Sequence, residues 1–260
     1  MTTKPKYSML PYQREDRDIY AGLEFDPNNL MDLWPDNMFQ DPALLEARYL
    51  LGHHVLGSPE RSDVFISGAA FICYDRSNLN VRVGPDCCIA IGVDAAAIRE
   101  RLLYLPWEVG KAPDFVLEMA SKSTAEYDIG SKREIYQSIG IGEYWLFDAS
   151  GGNYYEEPLI GERLVAGRYR RIELTEEADD SIRGYSPLLD LYIAWEPQEQ
   201  DDARFSLYYP ATGHRMETYS EAVASRHAAE ERTATAESRA ATAEEESRQL
   251  REQLRRLKEQ

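Results

Sequence analysis

Three side chains stand where packing alone does not account for their types: Asp86, Glu118 and Lys132. Asp86 lies in Val83-Gly-Pro-Asp-Cys-Cys-Ile89, an acid within a run of Val, Cys and Ile. With Pro85 before it, the same acid also reads as a turn that opens a strand. Glu118 lies in Pro113-Asp-Phe-Val-Leu-Glu-Met-Ala120. Period-two alternation puts Asp114, Val116 and Glu118 on one face of a strand, and Phe115, Leu117 and Met119 on the other. A carboxylate that deep in an apolar strand needs a cation, a metal or a raised pKa to compensate it. A structural ion pair with a nearby Arg or Lys would meet the same need. On the following helix Asp128, Ile129, Lys132 and Tyr136 share neighbouring turns of one face. Ile129, Tyr136 and Ile139 mark its buried stripe, with Lys132 on the stripe and Arg133 beside it. Lys132 either reaches over the strand edge toward Glu118 or snorkels from the helix border.

Two carboxylates on adjacent strands can share a hard divalent cation, Mg²⁺ or Mn²⁺, with the Met119 main-chain carbonyl as third ligand. Such an ion lowers the pKa of an attacking water and offsets charge on a phosphorane-like transition state. The lysine would orient that water or neutralise the phosphate. Asp114 rivals Asp86 as the second acid because it shares a face with Glu118. Other reactive types form no comparable set. His53 and His54 are adjacent and point about 100° apart on a helix, and His214 and His227 are isolated. Cys87 and Cys88 point to opposite faces of a strand and read as packing residues. The sequence contains no phosphate-cradling Gly-rich loop and no nucleophile elbow.

The elements that must position these groups follow from the punctuation. Residues 1–40, with Pro5, Pro11, Pro27 and Pro35, read as an irregular N-terminal arm. A helix is expected from Asp41 to about Val55, with Asp41 as N-cap and Pro42 at its first position. Residues 64–74 read as a strand or strand pair, residues 80–93 as a second strand, and residues 95–103 as a short helix. A third strand covers 112–120. A helix from Ser123 to Ile139 begins with a capping box, Ser123-Thr-Ala-Glu126, and ends at Gly140. A short apolar strand follows at 142–148. Strand, helix and strand in succession imply a right-handed crossover between parallel strands. Short β segments follow Gly151, and residues 188–195 read as one more strand. The expected domain spans 41–200. From Glu217 to Gln260 the chain turns to Ala, Glu, Arg and Gln without Gly or Pro, a long solvated helix. Its apolar positions are mostly alanine, so a coiled coil and a single frayed helix both remain open.

The whole chain of 260 residues has length enough for a substantial core, and its net charge is −17. Ten acids and eight bases fall in 217–260, so most of the negative charge sits in the body. That balance disfavours a nucleic-acid partner unless a local basic patch or bound cations offset it. No apolar run is long enough to span a membrane, and the first residues lack a secretory pattern. Three cysteines without metal-ligand spacing suggest a reduced, cytoplasmic protein.

The stretch Ala112-Pro-Asp-Phe-Val-Leu-Glu-Met-Ala-Ser-Lys-Ser-Thr-Ala-Glu-Tyr-Asp-Ile-Gly-Ser-Lys-Arg-Glu-Ile-Tyr136, followed by Gly140-Ile-Gly-Glu-Tyr-Trp-Leu-Phe-Asp148, resembles the Uma-two family of predicted restriction endonucleases, within the PD-(D/E)XK nuclease superfamily. Val64-Phe-Ile-Ser-Gly68 and Gly84-Pro-Asp-Cys-Cys-Ile-Ala-Ile-Gly92 are similar to it as well. The resemblance implies an α/β restriction-endonuclease-like core, a mixed sheet flanked by helices, and a C-terminal helix as appendage. It implies an Mg²⁺-dependent endonuclease acting on DNA, with Asp86 and Glu118 as the acids. The lysine expected two residues after the second acid is replaced by Ala120 here, and the resemblance implies that Lys132 supplies it from the next helix. Glu46 is a candidate accessory acid. Ser121-Lys-Ser-Thr124 departs from the family's Ser-Pro-Ser-Thr without touching the trio. A homodimer, formed through the C-terminal helix, is the expected assembly. A non-catalytic binding or scaffold module on the same fold is the alternative, and another phosphodiester or nucleotide hydrolase a second one.

Overall fold

The computed structural model describes residues 42–57, 61–199 and 203–258. The expected N-terminal arm and the N-cap expected at Asp41 lie outside the described residues. Helix α1 (Pro42–Leu56) opens on a proline, whose fixed φ and missing N–H suit a first turn. Four strands follow: β1 (Val64–Ser67), β2 (Phe71–Cys73), β3 (Arg82–Val83) and β4 (Cys87–Ile91). Then come α2 (Ala95–Arg101), β5 (Leu103–Tyr104), α3 (Pro106–Val109) and β6 (Phe115–Met119). Helix α4 (Ala125–Tyr127), a π-helical turn (Asp128–Lys132) and α5 (Arg133–Ile139) run together into β7 (Glu143–Phe147). The remainder is β8 (Leu159–Val165), β9 (Arg168–Arg171), β10 (Leu174–Glu176), β11 (Ile182–Ser186), β12 (Leu191–Glu196), β13 (Arg204–Tyr208) and α6 (Tyr219–Lys258).

The centre is a six-stranded mixed sheet in the order β1-β4-β6-β7-β8-β9. Only β6 and β7 run parallel in it, joined by the crossover through α4 and α5. One face packs on α1 and on the four-stranded sheet β10-β11-β12-β13, through Leu50, Leu51, Phe115, Trp145, Phe147 and Phe205. The other face packs on α2 and α5 through Ile98, Val116, Tyr136, Tyr144 and Leu146. The alternation of β6 is as expected: Phe115, Leu117 and Met119 lie in the first core, Val116 in the second. The restriction-endonuclease-like reading of the fold, a mixed α/β core with a long C-terminal helix, holds.

Several expectations are corrected. Residues 80–93 form two strands in two sheets: β3 pairs with β2, and β4 lies between β1 and β6. Pro85 has no N–H to continue a ladder, so the chain changes sheets at Gly84-Pro85. The helix after β6 is not capped by Ser123. Thr124 is its N-cap without a capping bond from its side chain, and its amide donates to Ser121 Oγ at 3.2 Å. Glu126 is exposed and closes no capping box. The helix is also not uniformly α. The wider π turn shifts the phase of the stripe, so Ile129 is 43% exposed while Asp128 and Lys132 are buried. Gly140 ends α5 at φ 88°, with its N–H on the carbonyls of Tyr136 and Gln137.

The body continues past residue 200, since β13 pairs with β12. Helix α6 then starts on a true capping box. Thr218 N–H donates to Glu221 Oε2 at 2.8 Å and Glu221 N–H to Thr218 Oγ1 at 3.2 Å. No helix among the described residues is long and apolar enough to cross a membrane.

Candidate active site

Glu118 stands near the end of β6, fully buried, on the face that receives α5. Its carboxylate is held from three directions. Tyr136 on α5 donates its hydroxyl to Oε1 at 2.6 Å. The Lys132 ammonium lies 2.9 Å from Oε2. The Asp86 main-chain N–H donates to the same Oε2 at 3.2 Å. Asp86 returns the contact, its Oδ2 accepting the Met119 N–H at 2.8 Å. Acid and backbone of each segment thus clamp the other just where β4 begins and β6 ends. Arg48 on α1 fixes the Asp86 segment from behind: Nε donates to the Asp86 carbonyl at 3.0 Å and Nη2 to the Gly68 carbonyl at 2.7 Å.

Lys132 is positioned as closely. Four residues before it on the π turn, Asp128 Oδ1 lies 2.8 Å from Nζ. Asp128 is fully buried, its Oδ2 accepting the Tyr155 hydroxyl at 2.8 Å and its carbonyl the Tyr144 hydroxyl at 2.9 Å. Tyr155 is itself set by Asp148, whose Oδ2 accepts the amides of Tyr154 and Tyr155 at 2.7 and 3.1 Å. A chain of contacts therefore runs from Asp148 through Tyr155, Asp128 and Lys132 to Glu118.

The electrostatics follow from three carboxylates around one ammonium. Burial raises Glu118 well above the usual carboxylate range, with Asp86 and Asp128 adding to the rise and Lys132 and Tyr136 opposing it. Burial also raises Asp86, against Lys132 and the Met119 N–H. Burial alone would push Lys132 down, but Glu118 and Asp128 outweigh it and hold the ammonium protonated. Burial and the neighbouring carboxylates raise the Tyr136 and Tyr155 phenols, so both stay donors.

The structure therefore brings Asp86, Glu118, Lys132 and the Met119 backbone together. Two other candidates lie elsewhere. Asp114 precedes β6 and is engaged by Lys111 Nζ at 2.6 Å and the Ile91 N–H at 2.8 Å. Four residues of extended chain, about 13 Å, separate it from Glu118. Glu46 faces the root of α6, where its Oε1 accepts the Tyr219 N–H at 3.2 Å. The site also uses Arg48, Asp128 and Tyr155, which the sequence reading did not place there. Asp128 and Tyr136 were legible in part, four residues before and after Lys132. Nothing local marks Tyr155, which arrives from the β7–β8 loop. The histidines and cysteines take no part: His54 Nε2 meets the Leu189 carbonyl at 2.7 Å, and Cys73, Cys87 and Cys88 are buried free thiols.

As a donor set for a metal, the site is all oxygen. Among the described residues no group of three His, Cys, Asp or Glu is arranged to hold an ion. Two carboxylates and a carbonyl make a partial shell of the sort Mg²⁺ accepts, since it keeps water or phosphate in its remaining positions. The buried surplus of negative charge also suits a hard cation, so the residues fit the group.

No curated protein matches the chain. Among solved structures it is similar to the crystal structure of a "putative nuclease" from Anabaena variabilis, at 14% identity and a TM-score of 0.39, over 56% of this chain and 71% of that one. Residues 45–196 match the Uma2 family, described as "putative restriction endonuclease". That match takes in the central sheet, the crossover and all three residues of the trio, more than half of the chain, and the chain belongs to the Uma2 family.

Proposed function

We propose that the protein is a metal-dependent endonuclease that hydrolyses DNA phosphodiester bonds at Asp86, Glu118 and Lys132. The observation that carries this is the convergence of the trio from three elements, with Lys132 Nζ 2.9 Å from Glu118 and the Asp86 amide on the same oxygen. Asp86, Glu118 and the Met119 carbonyl would hold Mg²⁺ or Mn²⁺. When bound, such an ion lowers the pKa of a coordinated water and offsets charge developing on the phosphate. Lys132 is held protonated by its carboxylates, so its part is electrostatic: it neutralises the phosphate and does not take the proton from water. Asp128, itself held by Tyr155, keeps that ammonium beside Glu118. Asp86 is the half-buried member, so the substrate enters over it. Two copies would serve the two strands of a duplex. The buried free thiols favour a reducing compartment, the cytoplasm.

The purified chain should nick or cut plasmid DNA with Mg²⁺ or Mn²⁺, and Glu118→Ala and Lys132→Ala should each abolish it. Cleavage that survives both substitutions would remove the assignment. A second reading has one observation in its favour. Lys132 and Tyr136 already satisfy Glu118 without a metal, as they would in a non-catalytic binding module that keeps the fold. Calorimetry separates the two: the nuclease binds Mg²⁺ or Mn²⁺ in a manner lost in Glu118→Gln, and the binding module takes up neither ion at these carboxylates.

A further inference from the structure

Helix α6 is the largest part of the molecule that the site does not use. It runs for 40 residues, about 60 Å of α-helix, and none of its residues is buried. Aligned on Leu250, Leu254 and Leu257, its heptads place Ala222, Ala229, Ala236, Ala243, Leu250 and Leu257 at every d position. The a positions are mixed: Tyr219, Arg226, Thr233, Ala240, Ser247 and Leu254. A stripe of small residues does not by itself name a partner. The flanking charges do.

In a parallel, in-register pair, each g side chain meets the e' side chain five residues further along the other helix. Of the five such pairs within α6, the three with charge on both sides are Arg232 with Glu237, Arg239 with Glu244 and Glu246 with Arg251, all opposite in sign, and the other two, Ser225 with Glu230 and Gln253 with Lys258, are neutral on one side. Twofold symmetry repeats each on the other side of the seam. An antiparallel pair sets e against e', and near full overlap Glu230, Glu237 and Glu244 then meet one another. The structure adds a second observation. The intrahelical ion pairs Glu245–Arg248 and Glu252–Arg256 fall on outer b, c and f positions, whereas Arg226–Glu230 nearer the root joins an a to an e position. Among the described residues, none of Arg232, Glu237, Arg239, Glu244, Glu246 and Arg251 is in an ion pair.

We propose that α6 pairs with α6 of a second copy of this chain as a parallel, in-register coiled coil, matched by these e and g charges. This carries forward the two-copy reading above, but it is tested by mass rather than activity, so either can fail without the other. Alanine at four of six d positions buries little area, so the dimer is weak, concentration-dependent and weakened by salt.

The test uses the full-length protein in sedimentation at low salt. The native chain should show a monomer–dimer equilibrium. R232E/R239E should raise its dissociation constant at least about 10-fold, since like charges then face across both sides of the seam. R232E/R239E/E237R/E244R, which restores the opposite signs, should return it toward the native value. L250C should give an oxidised covalent dimer, because d faces d' only in the parallel register, and the native thiols are buried. A monomer at every concentration up to about 100 µM, the range in which a weak coiled coil would associate, overturns the proposal. So does a dimer indifferent to the charge reversal, or one in which L250C does not cross-link.

Discussion

Glu118 is a buried acid whose ionisation works against folding. Its pKa in the folded chain is raised from 4.5, so the native state binds a proton more readily than the unfolded chain does. Stability from this group is complete below about pH 4.5 and is lost as pH rises through the raised value. Glu118→Gln should therefore flatten the fall of melting temperature with pH above 4.5, compared in differential scanning calorimetry with the native chain. Mg²⁺ should restore stability to the native chain on the alkaline side, because binding the ion displaces the same proton. A fall equally steep in the variant would place the titration elsewhere. At this scale the sequence was informative where a residue type conflicted with its surroundings. An acid in an apolar strand and a lysine on a buried stripe are visible conflicts. Arg48 and Tyr155 present none, because an arginine on a half-exposed helix and a tyrosine in a loop are unremarkable until the chain has folded.

The elements explain why these conflicts are tolerated. Strand β6 and the crossover after it were legible because alternation, a glycine stop and an apolar strand agree on one arrangement. The π turn was not, since a regular helical period assumes 3.6 residues throughout. That turn puts Asp128 behind Lys132 and leaves Ile129 in solvent. The division of 80–93 between two sheets was marked by Gly84-Pro85, but the signal says only that a ladder stops, not which sheet takes up the chain. Strand β1 contributes through its end. A Cβ on Gly68 would overlap the Arg48 guanidinium that fixes the Asp86 carbonyl. Gly68→Ala should push the Arg48 tip off the Asp86 and Gly68 carbonyls, cost about 1–3 kcal/mol for the hydrogen bonds lost, and lower cleavage as Asp86 shifts. Denaturant unfolding and cleavage rates read the two effects, and a variant with native values in both would show that Arg48 does not hold the site.

Across the whole molecule the net charge of −17 opposes a polyanionic substrate. Under the proposed function the site would offset this locally, through Lys132 and a cation shared by Asp86 and Glu118. DNA binding by the full chain should therefore need a divalent ion and should fall steeply as salt rises. Fluorescence anisotropy with a labelled duplex measures both, and tight binding in excess chelator would mean that another surface holds the DNA. The fold class was legible in the order of elements, whereas the pairing of β10–β13 over α1 depends on contacts far apart in sequence.

Asp86, Glu118 and Lys132 are expected to act as one unit on a phosphodiester. Single-turnover cleavage in Mn²⁺ by Asp86→Ala, Glu118→Ala and the double variant decides whether they do. Residues that work as a unit lose activity non-additively. Each single variant should fall by at least about 10³-fold, and the double should be no slower than either. Losses that multiply, or cleavage that persists in the double variant, would contradict that expectation.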